Sequence, residues 1–597
     1  MHKLLPTLLI TALALTPFTG FAQTSVTNNF FVESSFDFAA RDKVSSTLRH
    51  ESQNAYFYVE DSVYNSLPSS QKQNFSEQLS TLANEFDTNI YPRLRSVYGP
   101  ELSPGIDNDT KITILFTRMR SSSAGYFLER NQLSRSQDPL SNEREMFYIN
   151  ADTVLDSTAK VHVAHEFVHL IEYNQRTLLR QKQERWLSEG LADYAPTLLG
   201  YNSSYSGSYL ETRARDFLSF PSNSLLNWKE TPVDIAASSM FTHYLVGQYG
   251  TGVITEIMRA PVSGEEGVTR ALSVVGSTDT FRDTFTNWNI ANYINSSGKY
   301  AYRTAGLNFS NFHITTPLQY SIFQNSAITT NFFVDYGAAS WLRFVPGQLG
   351  TNGANVLRLE FDSSQSSGSF EVPYIVTDIT GRSVVRFMDM ADSKDIVFID
   401  GFGTSVISVV IAPSNYYTSL FLNPPAGSFT IKVNTVTKAG LPAEASAQAG
   451  ETGRVNGDID YADGALLRAI GDPKVYVIKK ACPSEASCEG GTPCQSEASC
   501  VGWKRWIPTA EIFEQYGHLR WQDIIDVQPA VLDAYEESRL IKFIGDYRVY
   551  ELNSTHTLKQ WLNITPATFE SRGYNWNQIY EVNAKEYNFY QTSTPIN

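Results

Sequence analysis

Residues 163–173 read Val-Ala-His-Glu-Phe-Val-His-Leu-Ile-Glu-Tyr and contain the pattern His-Glu-x-x-His at His165, Glu166 and His169. The surrounding residues favour a helix with an apolar face, and residues four apart in a helix project from the same side. Both imidazoles can therefore reach one metal ion, with Glu166 beside the position where water would bind. The pattern predicts metal-assisted hydrolysis, although such a match in an apolar helix can also be structural.

A third ligand is predicted in the segment Trp186-Leu-Ser-Glu-Gly-Leu-Ala-Asp-Tyr194. A catalytic zinc takes three protein ligands and keeps its fourth position open. Glu189 lies twenty residues after His169, which leaves room for the first helix, a turn and a return helix. Asp193 lies one helical turn further along the same face, where it could accept the second ring proton of a ligand histidine and fix its tautomer. The competing interpretation of Glu189 is a solvated helix carboxylate.

These five residues reproduce the spacing of the gluzincin metallopeptidases, and the segments HEFVHLIEYNQR and WLSEGLADYA resemble the hyicolysin family of that clan. The resemblance covers about residues 50 to 300. It implies a zinc endopeptidase with an α+β, thermolysin-like fold and one zinc ion per chain. His165, His169 and Glu189 would be the metal ligands, Glu166 the general base and Asp193 the partner of a ligand histidine.

The donor that stabilises the developing oxyanion is left open by the sequence. The resemblance implies a tyrosine or a histidine, and the predicted helix Ser238–Gly250 is similar to a later family helix. That family helix opens with a tyrosine about nine positions before Tyr244, but this chain has Ile235 there. His243 and Tyr244 are the remaining candidates, and packed core residues are the competing interpretation of both. His162 is interpreted as a helix residue and not as a fourth ligand.

The region before the motif is predicted to form the other half of the peptidase domain. Its pattern indicates a helix over residues 79–95 and strands over 111–117, 124–127 and 145–149. The resemblance implies an edge strand that binds the substrate backbone, and residues 124–127 are our choice for it. The oxygens of residues 107–109 could coordinate calcium, but an Asx-type turn is the favoured interpretation.

The start of the chain predicts export. A short basic region, an apolar run over residues 4–17 and small residues before Gln23 together indicate a bacterial signal peptide over residues 1–22. No later run has 18 uninterrupted apolar residues, so no transmembrane segment is expected. The formal net charge of −15 argues against nucleic acid as a partner. We expect a secreted or extracellular protein.

The composition changes along the chain and predicts several domains after the signal peptide. These are a peptidase domain over 23–317, an all-β sandwich over 318–437, a linker over 438–457, and two small α+β repeats over 458–537 and 538–597. The sandwich is inferred from short β-rich runs separated by turn residues. We expect it to pack on the peptidase domain, and it contains no catalytic constellation.

The two repeats are recognised by aligned glycines and tryptophans. Trp506 and Trp521 correspond to Trp561 and Trp576, with the same fifteen-residue separation. Each copy is predicted to form a β-hairpin, a short helix and a small strand, and the pair could attach the enzyme to a cell surface. The first copy is longer because it contains a cysteine-rich insert, at Cys482, Cys488, Cys494 and Cys500. Two disulfides are expected there, and the connectivity stays open among three arrangements.

Two classes of function fit these observations. The first is a secreted zinc endopeptidase that acts on peptide or protein substrates, with Glu166 as general base. The second is a surface adhesin or scaffold with an inactive peptidase fold. The presence of Glu166 favours the enzyme, because that residue is not needed to hold the metal. The sequence predicts no cleavage specificity.

Overall fold

The computed structural model describes residues 26–596 except for 156–157, 297, 316–317, 325, 348–354, 367, 380, 417–425, 439–463, 470–471, 482–500, 517–518, 520, 522–523, 528–531 and 533–534. The predicted signal peptide, all but the first residue of the predicted linker, and the four cysteines therefore lie outside the described residues. Among the described residues, no helix is both long enough and apolar enough to cross a membrane. The chain forms helices and several separate β-sheets, so the prediction of a multidomain fold of mixed α and β structure is confirmed.

The first of two compact units comprises Met1–Tyr91 and Leu102–Val163. Its strands are β1 Thr27–Phe31, β2 Lys43–Glu51, β3 Ala55–Glu60, β4 Ile112–Thr117, β5 Gly125–Phe127 and β6 Met146–Asn150, and its helices are α1 Asp61–Ser66 and α2 Ser69–Glu85, with short 3-10 turns at Glu129–Gln132 and Ala151–Val154. The strands form one sheet in the order β1-β2-β3-β4-β6-β5. Every residue of β4 and β6 is buried, as expected for apolar strands inside a sheet.

Several predictions of local structure in this region are confirmed. The three predicted strands are β4, β5 and β6, and β5 is an edge strand of its sheet. The predicted helix is α2, which continues through a π-helical turn at Phe86–Ile90 into α3, Tyr91–Tyr98. The Asx-type turn is also confirmed, because the Asp109 amide donates to Asp107 Oδ1 at 3.0 Å. Calcium binding at this turn and substrate binding along β5 stay predictions.

The second unit comprises Pro92–Glu101 and Ala164–Asn597. Its helical part is formed by α4 Ala159–Leu178, which begins in the first unit, and by α5 Arg185–Leu198, α6 Tyr209–Ser219, α7 Pro232–Tyr249, α8 Gly252–Arg259, α9 Gly264–Val274 and α10 Phe281–Ile294, followed by a 3-10 turn at Gly298–Tyr300. The start of α7 is fixed by a capping box between Thr231 and Asp234, with a proline in the first turn. The three helices predicted around the motif, its return segment and residues 238–250 are confirmed.

The next part of the second unit consists of two main sheets. Its strands are β7 Leu318–Ile322, β8 Ala327–Val334, β9 Leu342–Pro346, β10 Val356–Asp362, β11 Ser369–Glu371, β12 Pro373–Asp378, β13 Ser383–Phe387, β14 Lys394–Ile399, β15 Val406–Ile411, β16 Ser414–Tyr416 and β17 Gly427–Val436. One sheet has the order β14-β10-β17-β8 and the other β13-β12-β15-β9-β7. Buried residues of both sheets form one apolar core, for example Leu359 and Ile431 with Phe344 and Val409. This is the arrangement that a β-sandwich requires.

The sandwich packs on the helical part through buried polar contacts. The Asn289 amide of α10 donates to the Ser414 hydroxyl at 3.0 Å, and the Trp341 indole donates to the Asn289 carbonyl at 3.1 Å. Nearby, the hydroxyl groups of Thr286 and Tyr416 form a hydrogen bond with an oxygen–oxygen distance of 2.6 Å. The expectation that this domain packs on the region before it is therefore confirmed for the helices of the second unit.

The C-terminal region contains two sheets of the same design. The first copy is formed by β18 Leu466–Ala469, β19 Val475–Ala481, β20 Val501–Ile507, α11 Ala510–Glu514, β21 Ile524–Val527 and β22 Glu536–Glu537. The second copy is formed by β23 Leu540–Phe543, β24 Val549–Leu552, β25 Leu558–Trp561, α12 Pro566–Ser571, a 3-10 turn Trp576–Gln578, β26 Tyr580–Val582, α13 Ala584–Phe589 and β27 Gln591–Thr592. The strand orders, β21-β18-β19-β20-β22 and β26-β23-β24-β25-β27, correspond strand by strand. Each copy has two strands beyond the predicted hairpin, helix and strand.

The two copies also share a contact from a lysine side chain to a backbone carbonyl. Lys504 Nζ donates to the Leu532 carbonyl, and Lys559 Nζ donates to the Tyr587 carbonyl at 2.7 Å. The lysines are 55 residues apart and so are the two carbonyls. The two copies thus share a strand order and a side-chain contact, and their origin by duplication stays a prediction.

Candidate metal centre

Helix α4 brings the two motif histidines together, as their spacing predicts. His165 and His169 lie one turn apart on α4, and their Nε2 atoms are 3.2 Å from one another. Glu189 approaches from α5, with Oε2 at 3.3 Å from His165 Nε2 and Oε1 at 3.6 Å from His169 Nε2. These three side chains form the group of described residues whose donor atoms could hold a metal ion.

The position of Glu189 depends on close packing of α5 against α7. Residues Trp186–Pro196 of α5 are all buried. At Gly190 an added Cβ would lie 2.4 Å from Thr242 Oγ1 and 2.8 Å from the Ser238 carbonyl oxygen of α7. Only a glycine allows the two helices to approach this closely, so the residue after Glu189 fixes the depth at which its carboxylate is presented.

The separations of the donor atoms suit a tetrahedral zinc site. Zinc binds histidine nitrogen and carboxylate oxygen at about 2.0–2.2 Å, which at tetrahedral angles separates two ligand atoms by about 3.3–3.6 Å. The three separations here are 3.2, 3.3 and 3.6 Å. Two imidazoles and one carboxylate are also a donor set that catalytic zinc sites use. The residues present therefore fit a zinc ion with one position left open.

The charge of Glu189 is strongly stabilised. Burial would raise its pKa, but the charges and hydrogen bonds of His169 and His165 outweigh burial and hold the pKa well below the ordinary value. Arg185 adds an ion pair from one turn earlier in α5, with Nη2 at 2.9 Å from Glu189 Oε1. Because 62% of the Arg185 side chain is exposed, this guanidinium lies where the donor group meets solvent.

Glu166 is buried next to these donors, with 6% of its surface exposed. Burial raises the pKa of Glu166 to about 8, and the neighbouring charge of Glu189 acts in the same direction, while that of His169 opposes it. A bound dication would favour the ionised carboxylate and lower this pKa. A carboxylate whose pKa is raised toward neutrality is suited to both accepting and returning a proton.

The second nitrogen of His169 has a hydrogen-bonded partner. Ser188 Oγ lies 3.3 Å from His169 Nδ1 and donates to Glu172 Oε2 at 2.8 Å. A hydroxyl has one proton, so a serine that donates to Glu172 must accept the Nδ1 proton of His169. This arrangement leaves the lone pair on Nε2, the atom that faces Glu189.

The second nitrogen of His165 is held less directly. Its Nδ1 atom is buried without a hydrogen-bond partner in the described part of the chain, and Asp193 Oδ1 lies 3.7 Å away. The Asp193 carboxylate instead accepts from the Tyr209 hydroxyl at 2.7 Å and from Arg213 Nε at 3.1 Å. Asp193 therefore lies where the sequence predicts, but its role in orienting His165 stays a prediction.

His243 and Tyr244 are both engaged in the packed core of α7. His243 Nδ1 donates to the Ser239 carbonyl at 2.8 Å, so its Nε2 accepts from the Thr197 hydroxyl at 2.8 Å, and burial lowers its pKa. The Tyr244 hydroxyl donates to the Lys299 carbonyl. Neither side chain has a hydrogen bond to the metal-binding group. Both are packed core residues, which is the competing interpretation of the sequence. His162 is not part of that group either.

Sequence reasoning missed Ser188, Glu172, Arg185, Arg213 and Tyr209. Two of them carry a signal in the spacing, because Glu172 follows His169 by three residues and Ser188 directly precedes Glu189. Residues three apart in a helix are neighbours on its surface. Arg213 and Tyr209 come from α6, and no spacing rule connects that helix with Asp193.

Comparison with known proteins gives one informative match. The neutral metalloprotease ShpI of Staphylococcus hyicus is 25% identical over 258 residues, which cover 39% of this chain and 54% of that protein. This chain thus spans about half the length of the curated relative it matches. No protein-family model matches the chain. A solved structure of infectious bursal disease virus Gx strain is 13% identical over 20% of this chain and 34% of its own, with a TM-score of 0.11 that supports no argument about the fold.

The partial and distant homology suggests a metal-dependent protease, and therefore a metal cofactor. It does not identify a particular family. The group formed by His165, His169 and Glu189 is where such a metal could be bound.

Proposed function

We propose that this chain is a zinc endopeptidase of the gluzincin type, similar to the hyicolysin family, in which His165, His169 and Glu189 hold one zinc ion. The observation that carries the proposal is the agreement between the three donor separations and those of a tetrahedral site. The distant homology to a metalloprotease is independent support.

The chemistry assigned to Glu166 follows from its burial beside the ligands. Zinc, when bound, lowers the pKa of a bound water to about 7 and polarises the scissile carbonyl. Glu166 accepts a proton from the attacking water and passes it to the leaving amine. Because Glu166 is buried, bulk water does not solvate its carboxylate, and both proton transfers become easier.

Arg185 is our choice for the group that stabilises the developing oxyanion. Its guanidinium lies 2.9 Å from Glu189 and remains largely exposed, so it borders the donor group where that group meets solvent. A guanidinium offers several N–H donors and a permanent charge. His243 and Tyr244 already use their polar atoms in hydrogen bonds within the core.

An inactive scaffold is the second candidate, and the position of Glu166 argues against it. A structural zinc site is closed by a fourth protein ligand, whereas Glu166 is not part of the group of donor atoms formed by His165, His169 and Glu189. Burying a carboxylate costs free energy unless it is paired. Glu166 is nonetheless buried beside the ligands, which supports a catalytic role.

The test compares Glu166→Gln with the wild-type protein in zinc content and in hydrolysis of casein. We expect chelator-sensitive hydrolysis by the wild type, and zinc binding but at least ~1000-fold slower hydrolysis in the variant. Glu77→Gln, the same change at an exposed position of α2, is the matched control and should keep full activity. Wild-type protein that binds zinc and hydrolyses no protein or peptide would establish the scaffold instead.

We also propose that the enzyme is exported, because residues 1–22 have the composition of a signal peptide. Protein recovered from the medium of a bacterial host should then begin at or near Gln23. Full-length protein retained in the cytoplasm would contradict export without affecting the zinc site.

A further inference from the structure

Each C-terminal repeat presents a half-exposed tryptophan that stacks on a buried phenylalanine. The rings of Phe513 and Trp521 are 4.2 Å apart at an interplanar angle of 26°, and those of Phe569 and Trp576 are 4.1 Å apart at 24°. Both phenylalanines are 1% exposed, whereas Trp521 and Trp576 are 48% and 45% exposed. We call each stacked pair an indole platform.

The two platforms are equivalent positions of the duplicated unit. Trp521 and Trp576 are 55 residues apart, the same offset that relates Lys504 and Lys559. The exposed fraction agrees between the copies to within a few percent. A tryptophan needed only for the core would bury both faces, whereas a ring with one face on a phenylalanine and the other in solvent is about half exposed. Both copies therefore present one open indole face.

Polar side chains lie next to Trp576 in the second copy. The Trp576 indole N–H donates to Glu570 Oε1 at 2.9 Å, which fixes the direction of the ring. Asn575 and Asn577 flank Trp576 and are exposed. Amide and carboxylate groups around a flat apolar surface can donate to and accept from hydroxyl groups of a ligand.

The shape of the platform selects the class of ligand. A quaternary ammonium is bound inside a cage of several aromatic rings. Here the second ring covers the back of the indole, so the ligand meets a single flat surface. The apolar face of a sugar ring suits such a surface, and its hydroxyl groups suit the polar rim. A polymer of sugars also repeats, as the platforms do.

The two copies are joined by a buried ion pair. Arg505 of β20 and Glu586 of α13 pair through Nη1 and Oε1, and their side chains are 3% and 0% exposed. The Tyr580 hydroxyl of the second copy also donates to the Trp503 carbonyl of the first at 2.9 Å. These contacts hold the repeats, and with them the platforms, in one arrangement. A ligand that engages both platforms gains from the linkage.

We propose that the C-terminal repeats bind a polysaccharide by stacking one sugar ring on Trp521 and another on Trp576. This binding site is separate from the zinc site and does not require protease activity. It would hold the protein on a polysaccharide surface through two weak contacts that act together.

The test measures retention of the full-length protein on suspensions of purified peptidoglycan, chitin and insoluble β-glucan. We expect retention on at least one of these, about 10-fold to 100-fold weaker binding after Trp521→Ala or Trp576→Ala, and loss of binding in the double variant. Tyr547→Ala is the matched control, because that ring is 84% exposed in the same repeat but lies outside the platform. Unchanged circular dichroism of each variant ensures that a loss of binding is not a loss of folding.

Three results would overturn the proposal. The first is a wild-type protein that none of the three polysaccharides retains. The second is a double variant, folded by circular dichroism, that is retained as well as the wild type. The third is binding to phosphatidylcholine vesicles without binding to any polysaccharide, which would mean that the exposed indoles contact a membrane.

Discussion

Replacing Ser188 by alanine tests whether the partner of a ligand histidine sets the affinity for zinc. Ser188 lies between His169 Nδ1 at 3.3 Å and Glu172 Oε2 at 2.8 Å, and its single proton is donated to the carboxylate. The hydroxyl oxygen therefore accepts the Nδ1 proton and keeps the Nε2 lone pair directed at the metal position. Alanine removes this constraint without touching a ligand atom.

The expected loss of zinc affinity is ~10-fold to 100-fold, because changes to such outer partners of ligand histidines have effects of that size. This corresponds to about 1.4–2.7 kcal/mol. A second effect is expected in the metal-free protein. Glu172 is 8% exposed and would lose its hydrogen-bond donor, so the free energy of unfolding should fall by about 1–3 kcal/mol.

The assay is a competition between the metal-free protein and a zinc chelator of known affinity at pH 7. Ser238→Ala is the matched control, because Ser238 is buried in α7 and its hydroxyl has no hydrogen-bond partner in the described part of the chain. This control should bind zinc as the wild type does. If Ser188→Ala binds zinc within threefold of the control, the hydroxyl does not orient His169 and the reasoning is refuted.

Three further changes have expected outcomes. Gly190→Ala should lower the free energy of unfolding by about 1–3 kcal/mol in a denaturant titration, because the added Cβ would lie 2.4 Å from Thr242 Oγ1. A variant as stable as the wild type would contradict the close packing of α5 on α7. Burial would raise the pKa of Glu360, but hydrogen bonds and ion pairs with Arg358, Lys432 and Lys394 lower it from 4.5 to about 2. The stabilisation that Glu360 contributes is therefore present above pH 4.5 and lost as the pH falls toward 2. Glu360→Gln should therefore cost about 1 kcal/mol at pH 7 after screening by solvent, and the difference from wild type should vanish near pH 2 in thermal unfolding. Glu586→Gln leaves the buried guanidinium of Arg505 without its ion-pair partner and should destabilise the repeats by about 3–5 kcal/mol. Unfolding is measured by tryptophan fluorescence, and an unchanged unfolding transition would show that the ion pair is dispensable.

Much of the candidate site could be predicted because helical geometry is regular. The four-residue spacing from His165 to His169 places both rings on one side of α4 whatever packs around them. The twenty residues before Glu189 are enough for a helix, a turn and a return helix, and few other paths lead back to the same side. Strands such as β4 were also predictable, since an apolar run of that length inside a sheet has few alternatives.

The hydrogen bonds around the ligands could not be predicted, because they depend on which side chains from separate helices meet. Asp193 has the expected spacing from Glu189, yet its carboxylate accepts from Arg213 and Tyr209 of α6 and lies 3.7 Å from His165 Nδ1. Strand β8 was missed for a related reason. It lies at the edge of its sheet, with a polar Thr330 on its inward side and an exposed Phe333 on its outward side, so its sequence lacks the clean apolar alternation that marks a strand.

The oxyanion donor could not be predicted from the periodicity of the sequence. A helix that is apolar all round is buried all round, and α7 is buried at every position from Ala236 to Val246. No pattern along such a helix can indicate which residues face a site and which face the core, so His243 and Tyr244 could not be separated from packing residues by sequence alone. An exposed cation at the start of the helix that carries a ligand is a different case, because it contacts the ligand and solvent at once. That argument favours Arg185, and Arg185→Met should lower kcat more than it raises KM.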